Sequence, residues 1–446
     1  MHLVPSFIDL LQPLAAAMTT PSFNNLTTLT TGWVFAPRRT VTGMIVAAQA
    51  VGDKHHSALH RFFARASWSL DQLGLIVFGM ILVIHDAAEA SHDDTPVMLA
   101  IDDTLARKRG AKAFGVGMHR DPLASSRRTT VVNWGHNWVV LCVLIHLPWR
   151  EGHTFALPIL FRLYLNKAAA TRHRRVYRTR PELAVQMLDV VCKDHKNKRF
   201  HAVADSAYGG QSVLNHLPAN CDLTSRLVMD ARLYDAPPAR KPGTPRKNGR
   251  PRIRGERLDS PEQMLHRRLQ RRELTLYGRL TKMRIADTCA RVHKTPDRPL
   301  RVVAVEPMTG KRGRQAFYST IHDADAAQVL TWYAMRWAIE VTFHDAKQHL
   351  GFAQPQGWTP KAAQRTAPMA MLLYSLVVLW FHRHGRRLYK PIDRPWYRTK
   401  TDPSFADMLG TLKCVSVKQA LFETGLSGRG SRKTLKTACH LVRLAA

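Results

Sequence analysis

The sequence is poor in cysteine, and its cysteines form no recognisable pattern. There are 6 in 446 residues, without a Cys-x-x-Cys pair or the Cys/His spacing of a zinc site. This excludes a disulfide-stapled secreted fold and a structural zinc domain, and it predicts free thiols in a reducing compartment. The cysteines are Cys142, Cys192, Cys221, Cys289, Cys414 and Cys439.

Acidic residues are also scarce relative to basic ones. Lys and Arg number 66 against 33 Asp and Glu, which gives a formal net charge of +33. A surface this basic repels itself unless it binds a polyanion, and the usual polyanion is DNA or RNA. Charge alone does not separate DNA from RNA. With 45% hydrophobic residues, the chain should nevertheless bury a sizeable core and fold into two or three domains.

An apolar run long enough to cross a membrane is missing as well. Two runs, residues 74–84 and 367–381, fall short of the ~20 residues that a span needs, and we predict that the second is a buried core helix. Residues 1–18 have no basic start before their apolar part, so they make a poor signal peptide. We therefore expect no membrane association, and a cytoplasmic protein that meets its nucleic acid where it is made.

Changes of pattern divide the chain into five parts. Residues 1–92 are predicted to be a helical DNA-binding region, in which two short helices around Gly52 fit either a helix-turn-helix or another small helical bundle. Residues 93–225 and 323–390 are predicted to form one α/β core, followed by a helical C-terminal region at 391–446. Apolar runs at 97–101, 138–146, 155–161 and 200–204 predict buried strands of a mixed or parallel sheet, with a helix near 182–191.

Residues 226–322 are predicted to be a β-rich basic insertion into that core. Strand-like segments at 281–292, 300–305 and 316–320, with a turn at 309–310, follow a helix predicted at 261–272. Before them, residues 236–257 are so rich in Pro, Gly, Arg and Lys that we expect phosphate to order them. Residues 172–180 form a second basic cluster, predicted to contact the DNA backbone. The loop residues predicted to bind DNA are Arg246, Lys247, Arg250, Arg252 and Arg254.

Carboxylates follow two of the predicted strands. Asp103, with Asp102 beside it, ends the first apolar run, and Asp205 ends the fourth. Two-metal phosphodiester chemistry needs several carboxylates around one point, because Mg²⁺ takes oxygen ligands in octahedral geometry. A single Asp at a strand end more often caps a turn. Successive strand residues face opposite sides, so only one of Asp102 and Asp103 should face a metal.

A third carboxylate lies on a helix predicted from residue 325 to 350. Tyr333, Arg336, Glu340 and Lys347 fall within roughly 60° of arc at 100° per residue, so they share one face. Such a stripe is often a solvated, salt-bridged surface. Here we predict that it lines a cleft, in which the cations and the tyrosine hold phosphates while Glu340 completes a metal site. The neighbours expected to bury the helix are Trp332, Trp337, Ile339 and Phe343.

This stripe resembles the signature of a large group of bacterial insertion-sequence DDE transposases, with Tyr, Arg, Glu and Lys at the same spacing. The Asp103-Thr104 pair is similar to the family's first catalytic Asp, and Ala204-Asp205 to its second. The long segment between Asp205 and Glu340 resembles the family's β-rich insertion. The resemblance implies a ribonuclease-H-like mixed-sheet core, and it favours Asp103 over Asp102 as the first carboxylate.

The resemblance further implies an enzyme that cuts double-stranded DNA at the element ends and joins the freed 3′ ends to target DNA. It would work as a homodimer on paired ends, in the bacterial nucleoid. Asp103, Asp205 and Glu340 would hold two Mg²⁺ (or Mn²⁺) ions, and Tyr333, Arg336 and Lys347 would contact phosphates near the cut.

Two other functions remain open from the sequence. One is a catalytically inactive transposase remnant kept for DNA binding, and the other is a nuclease of the same core fold such as a junction resolvase. A DNA hairpin step is also open. Relatives that use one stack a flipped base on an insertion-domain Trp, whereas residues 206–330 contain none. Tyr277, Phe317 or Tyr318 are the aromatic residues that could substitute for it.

Overall fold

The computed structural model describes residues 2–88, 95–121, 124–126, 128–238, 253–267, 269–293, 295–308, 313–391, 402–423 and 437–438. Some predicted features lie outside these residues. They are the turn at 309–310, Cys439 and the loop cations Arg246, Lys247, Arg250 and Arg252.

Five helices precede the first strand and pack onto the rest of the chain. Trp33 donates from Nε1 to the carbonyl of Leu350 at 2.8 Å, and Arg365 donates to the carbonyl of Ala66 at 2.8 Å. The N-terminal helices therefore share one core with helices near the other end of the chain. They are α1 (Pro5–Leu11), α2 (Thr20–Phe35), α3 (Val41–Ala47), α4 (His56–Ala64) and α5 (Leu70–Ala88), with a 3₁₀ helix at Gln12–Ala17.

A mixed sheet forms the centre of the molecule. Its first six strands are β1 (Val97–Arg107), β2 (Gly117–Arg120), β3 (Val132–His146), β4 (Thr154–Tyr164), β5 (Phe200–Ala204) and β6 (Cys221–Leu227). Strand β3 is antiparallel to β1 and β4, whereas β1, β5 and β6 run parallel. The order across this part of the sheet is β4-β3-β1-β5-β6. All four strands predicted from apolar runs are present, and the predicted mixed α/β class is confirmed.

Helices between these strands cover the sheet. Helix α7 (Arg180–Asp194) contains the predicted segment 182–191 and begins with a capping box between Thr179 and Glu182. It buries Leu183, Met187 and Val191, which follow a helical spacing, against β3 and β4. The shorter elements are α6 (Lys167–Arg172), a 3₁₀ turn at Ser206–Tyr208 and α8 (Gln211–Leu214).

The segment predicted as an insertion extends the same sheet. Strand β11 pairs with β6, so the described strands form one sheet of 11. The helix predicted at 261–272 is wrong beyond Met264, because residues from 270 onward pair with β9 and place Leu274 and Leu276, two residues apart, on a second small core. The elements are β7 (Leu233–Tyr234), α9 (Pro261–Met264), β8 (Gln270–Leu276), β9 (Arg279–Val292), β10 (Thr295–Pro307) and β11 (Gln315–Ser319).

After β11, the described residues form helices that close over the sheet. The single helix predicted from 325 to 350 is two helices that meet at Arg336, α10 (Ala326–Met335) and α11 (Trp337–His349). Helix α12 (Pro360–Trp380) is the predicted core helix, and Ser375 within it donates to the carbonyl of Pro158 at 2.9 Å. A π turn at Phe381–Gly385, α13 (Arg386–Leu388) and α14 (Phe405–Glu423) follow.

Two helices are longer than the apolar runs in the sequence suggested. By length and composition alone, Leu70–Ala87 and Pro360–Leu388 could each cross a membrane. In the second, 89% of the most apolar window is buried inside the protein, against 44% in the first. A core helix of a globular protein passes the same test, so these helices are weak evidence for a span.

Helices α2 and α3 cross at Gly32, where a Cβ would lie 2.1 Å from the carbonyl oxygen of Met44. We expect Gly32→Ala to push the helices apart and to lower the free energy of unfolding by roughly 1–3 kcal/mol. Gly79→Ala in α5 is the matched control. Apart from the backbone of α5 itself, no described atom lies within 4 Å of the new methyl group. It should stabilise the helix by about 0.5–1 kcal/mol. Guanidinium unfolding measures both, and equal shifts would contradict this contact.

Candidate active site and nucleic-acid interface

Strand β1 carries two adjacent carboxylates that face opposite sides of the sheet. Asp103 accepts hydrogen bonds from Asn137 Nδ2 at 2.8 Å, Arg180 Nη1 at 2.9 Å and the Tyr208 hydroxyl at 2.8 Å. Because Arg180 begins α7, Asp103 faces that helix. The carboxylate is largely satisfied by protein donors, an arrangement suited to holding β1 and α7 together.

Asp102 lies on the other face, against the junction of α10 and α11. Its Oδ2 accepts from Arg336 Nη1 at 2.6 Å, and its Oδ1 accepts from the backbone N–H of Asp103 at 2.8 Å. The family resemblance favours Asp103 as the first carboxylate of the site. In the structure, Asp102 is the carboxylate on the side of Glu340. Successive side chains of β1 point to opposite faces of the sheet, and α11 packs on the face that carries Asp102.

The guanidinium of Arg336 contacts a second carboxylate as well. Its Nη2 donates to Glu340 Oε1 at 2.7 Å, and its central carbon lies 5.7 Å from the centre of the Tyr333 ring. Burial opposes the charge on Arg336, but Asp102, Tyr333 and Glu340 together raise its pKa above the ordinary value. One guanidinium therefore joins β1 to the first turn of α11.

Asp205 approaches the same place from the neighbouring strand. The last residue of β5, Ala204, pairs with Ile101 of β1. Asp205 and Asp102 are the next residues in the two parallel chains, so they lie side by side. Asp205 Oδ1 accepts from the N–H of Ser206 at 2.7 Å, and the Tyr333 hydroxyl lies 3.5 Å from it. Three carboxylates from β1, the end of β5 and α11 thus surround Arg336 and Tyr333.

The ionisation of Asp102 reflects this crowding. Burial raises the pKa of Asp102 to about 7, and the like charges of Asp103 and Asp205 act in the same direction, whereas Arg336 opposes the rise. A buried carboxylate beside other carboxylates gains most from a cation held close to it. In this structure that cation is the guanidinium.

The tyrosine of the predicted stripe is held by the second small core. Tyr333 packs on Phe317 of β11 with ring centres 4.5 Å apart, and burial raises its pKa to about 12, so it is a neutral hydrogen-bond donor. Lys347 is separate from the carboxylates, about 10 Å from Glu340 along the helix axis. Burial lowers its pKa, and the charges that act on it are those of Asp121 and Arg107.

An exposed aromatic pair borders the site. Tyr277, at the β8–β9 turn, lies 6.4 Å from Trp337 of α11, ring centre to ring centre, with the planes at 87°. Their side chains are 41% and 52% exposed, so Trp337 does not bury α11 as predicted. Of the three aromatic residues considered in the insertion, Phe317 and Tyr318 are buried. Trp337 was expected only to bury α11, and no local signal in the sequence marked it as an exposed partner of Tyr277.

A basic groove lies along the edge of β4. Two adjoining cavities of about 600 and 410 Å³ share Phe114, Leu163, Leu165 and Gln364 in their linings. Within the described residues the acidic side chain lining them is Asp71, which pairs with Arg162 at 2.7 Å. The other cations that line the groove are Arg174, Arg175, Arg178, Lys361 and Arg365. Such a surface suits a phosphodiester backbone.

Of the loop cations predicted to bind DNA, Arg254 is within the described residues. Its guanidinium carbon lies 5.4 Å from the centre of the Tyr234 ring, at the base of the insertion. This contact connects Arg254, near the C-terminal end of the basic loop at 236–257, to Tyr234 in β7.

The donor set of the site fits a hard divalent cation, since Asp102, Asp205 and Glu340 supply carboxylate oxygens. Over the part of the chain that the structure describes, however, no three or more His, Cys, Asp or Glu side chains are close enough to hold an ion together. The intervening Arg336 accounts for this, because its two arms separate Asp102 from Glu340.

Comparison with known proteins gives a family match. Residues 13–288 match the model of a family described as DDE superfamily endonuclease. The matched segment runs from the N-terminal helices into β9 and includes Asp102, Asp103 and Asp205, whereas Glu340 lies beyond it. No curated protein matches the chain.

The raised pKa of Asp102 predicts that the free energy of unfolding depends on pH. Since about 7 lies above the ordinary 3.8, Asp102 ionises in the unfolded chain before it does in the folded protein, so its contribution to stability should fall from about pH 4 to 7, by up to about 1.4 kcal/mol per pH unit. Asp102→Asn removes this contribution together with the charge-assisted bond from Arg336, so we expect the difference in stability between it and the unmodified protein to be smaller at pH 8 than at pH 5.

Asp103→Asn is the matched control for that measurement. It weakens the charge-assisted bond from Arg180 and should lower stability at pH 8 by roughly 1–3 kcal/mol. Guanidinium unfolding at the two pH values distinguishes the carboxylates. A loss of stability in Asp102→Asn of the same size at pH 5 and pH 8 would contradict the effect of burial.

Proposed function

Because the chain belongs to the DDE superfamily of endonucleases, for which DNA is the implied substrate, we propose that it is a DNA transposase. It would bind the ends of an insertion sequence, cut phosphodiester bonds there and join the 3′ ends to target DNA. The observation that carries this proposal is that Arg336 joins Asp102 of β1 to Glu340 of α11, while Asp205, after β5, acts on Asp102 and lies beside Tyr333.

The topology supports a ribonuclease-H-like catalytic core within the larger sheet. A core of this kind has three antiparallel strands followed by two parallel ones, and the order β4-β3-β1-β5-β6 has that arrangement. We propose that this unit, with α11, is the catalytic part, that β7–β11 is its insertion, and that the α1–α5 region serves DNA binding.

Asp102, Asp205 and Glu340 would hold two Mg²⁺ or Mn²⁺ ions, with Asp102 in the place that the family resemblance gave to Asp103. When bound, such ions activate a water or a 3′-hydroxyl and neutralise charge on the leaving oxygen. Tyr333, as a neutral phenol, would orient Asp205 through its hydroxyl. Arg336 would fork to one phosphate, and Lys347 would act as a point charge further along the strand.

The DNA path would extend from the carboxylates onto basic surfaces. Arg178 of the groove lies two residues before Arg180, which binds Asp103 on the other face of β1 from Glu340. We propose that duplex DNA passes from the carboxylates to this groove and that the basic loop at 236–257 contacts it as well. Action as a homodimer in the bacterial cytoplasm remains part of the proposal.

Cleavage of labelled duplex carrying the flanking ends of the protein's own gene tests the proposal. We expect Mg²⁺-dependent cuts at those ends, reduced roughly 10²-fold or more in Asp102→Asn, Asp205→Asn and Glu340→Gln, because charge stabilisation of this kind is typically worth that much. DNA binding should survive in all three variants.

Asp103→Asn is the control, because its carboxylate faces α7, and it should retain more cleavage than Asp102→Asn at a temperature where both are folded. Loss of cutting in Asp103→Asn alone would return the first position to Asp103. Binding without any metal-dependent cut in the unmodified protein would favour an inactive remnant.

The exposed pair Tyr277 and Trp337 suggests a place for a base displaced from the duplex end. Stacking on an aromatic side chain is worth about 1–3 kcal/mol per base. Tyr277→Ala and Trp337→Ala should therefore each lower the equilibrium constant for stacking of the displaced base by roughly 5–150-fold. Fluorescence of 2-aminopurine placed near the cut measures stacking directly. Leu280→Ala is the matched control, being 66% exposed in the same hairpin. If all three variants leave the signal unchanged, the pair does not bind a base.

A further inference from the structure

We propose that Arg336 closes the site to metal until a DNA phosphate takes its guanidinium away from Asp102 and Glu340. This inference rests on the proposed function, because it concerns the same carboxylates. It goes further by making metal loading depend on the presence of substrate.

Both oxygens of Asp102 and one oxygen of Glu340 already accept hydrogen bonds. Asp102 Oδ2 accepts from Arg336 Nη1 at 2.6 Å, while its Oδ1 accepts from the N–H of Asp103 at 2.8 Å. Glu340 Oε1 accepts from Arg336 Nη2 at 2.7 Å. A divalent ion bound to these oxygens would lie beside a guanidinium that repels it. This position of Arg336 therefore opposes binding of the ion.

The Arg336 side chain can move away from Asp102 and Glu340 without unfolding α10 or α11. It lies between α10 and α11 in helical backbone conformation, so rotation of its long side chain moves the guanidinium while the backbone stays. Its Nε is buried and, within the described residues, has no hydrogen-bond partner. Phosphate accepts paired N–H donors from a guanidinium fork, so a nearby phosphodiester could engage this third donor as well.

Charge balance also links the two events. Asp102 is 19% exposed in this structure, and withdrawal of the guanidinium would leave it under the like charges of Asp103 and Asp205 without its closest cation. Buried carboxylates in that state need a replacement cation, and a divalent ion supplies it. Phosphate binding by Arg336 and metal binding by the carboxylates should consequently favour each other, and such coupling is reciprocal.

Lys347 provides the comparison within the same helix. It also carries one positive charge on α11, but the charged groups acting on it are Asp121 and Arg107 rather than the three carboxylates. A substitution there changes the net charge equally without opening the site.

Mn²⁺ binding to the full chain, followed by the electron paramagnetic resonance signal of free Mn²⁺, tests the proposal. Arg336→Gln should bind Mn²⁺ about tenfold more tightly than the unmodified protein in the absence of DNA, in the range typical of coupled sites. Lys347→Gln should not. A short mixed-sequence duplex should tighten Mn²⁺ binding to the unmodified protein by a similar factor, and this gain should be absent in Arg336→Gln.

Because the duplex binds Mn²⁺ through its own phosphates, the Mn²⁺ bound by duplex alone is measured and subtracted. The duplex arm then needs no variant, so it decides the matter even if Arg336→Gln does not fold. The proposal is overturned if Arg336→Gln binds Mn²⁺ no more tightly than Lys347→Gln, or if DNA leaves the affinity of the unmodified protein unchanged. Glu340→Gln separates the two levels of inference. If it binds Mn²⁺ as well as the unmodified protein in the presence of DNA, the carboxylates are not the metal site and the proposed function fails. Mn²⁺ binding that requires Glu340 but is unaffected by DNA and by Arg336→Gln overturns the gate alone.

Discussion

The rest of the site depends on one guanidinium shared between two carboxylates. Asp102 and Arg336 are 234 residues apart in the chain, and their ion pair fastens the middle of β1 to the start of α11. Without a cation between them, Asp102, Asp205 and Glu340 would repel one another in a place where burial already disfavours charge. Arg336 makes this convergence tolerable in the free protein, and the same property lets a divalent cation take its place.

The surrounding architecture keeps that contact in position. Parallel pairing of β1 with β5 brings Asp205 alongside Asp102, and Tyr333 is held between Asp205 and the second core through Phe317. The insertion matters here because β11 continues the sheet from β6 and forms the surface on which α10 rests. A segment distant from the carboxylates in sequence therefore determines where the Tyr and Arg of the stripe lie.

Local periodicity explains which expectations succeeded. Apolar runs predicted β1, β3, β4 and β5 because buried strands need apolar side chains on both faces, and helical spacing placed Tyr333, Arg336 and Glu340 on one side. The helix predicted at 261–272 was wrong beyond Met264, since pairing with β9 outweighed local propensity. The exposure of Trp337 was likewise unpredictable, because it depends on which side of α11 the sheet covers.

By itself, the sequence determined the mixed α/β class, the basic character that points to nucleic acid, and the presence of carboxylates after the end of β5 and on one helix face. These properties are local or compositional, so the order of residues contains them directly. The prediction that Asp102 and Asp103 end their strand was wrong, because β1 continues to Arg107. Only the tertiary structure decided that Asp102 rather than Asp103 lies beside Glu340, and that Lys347 stands apart from the carboxylates. Alternation along a strand defines two faces, but the packing of a distant helix selects the one that becomes the site.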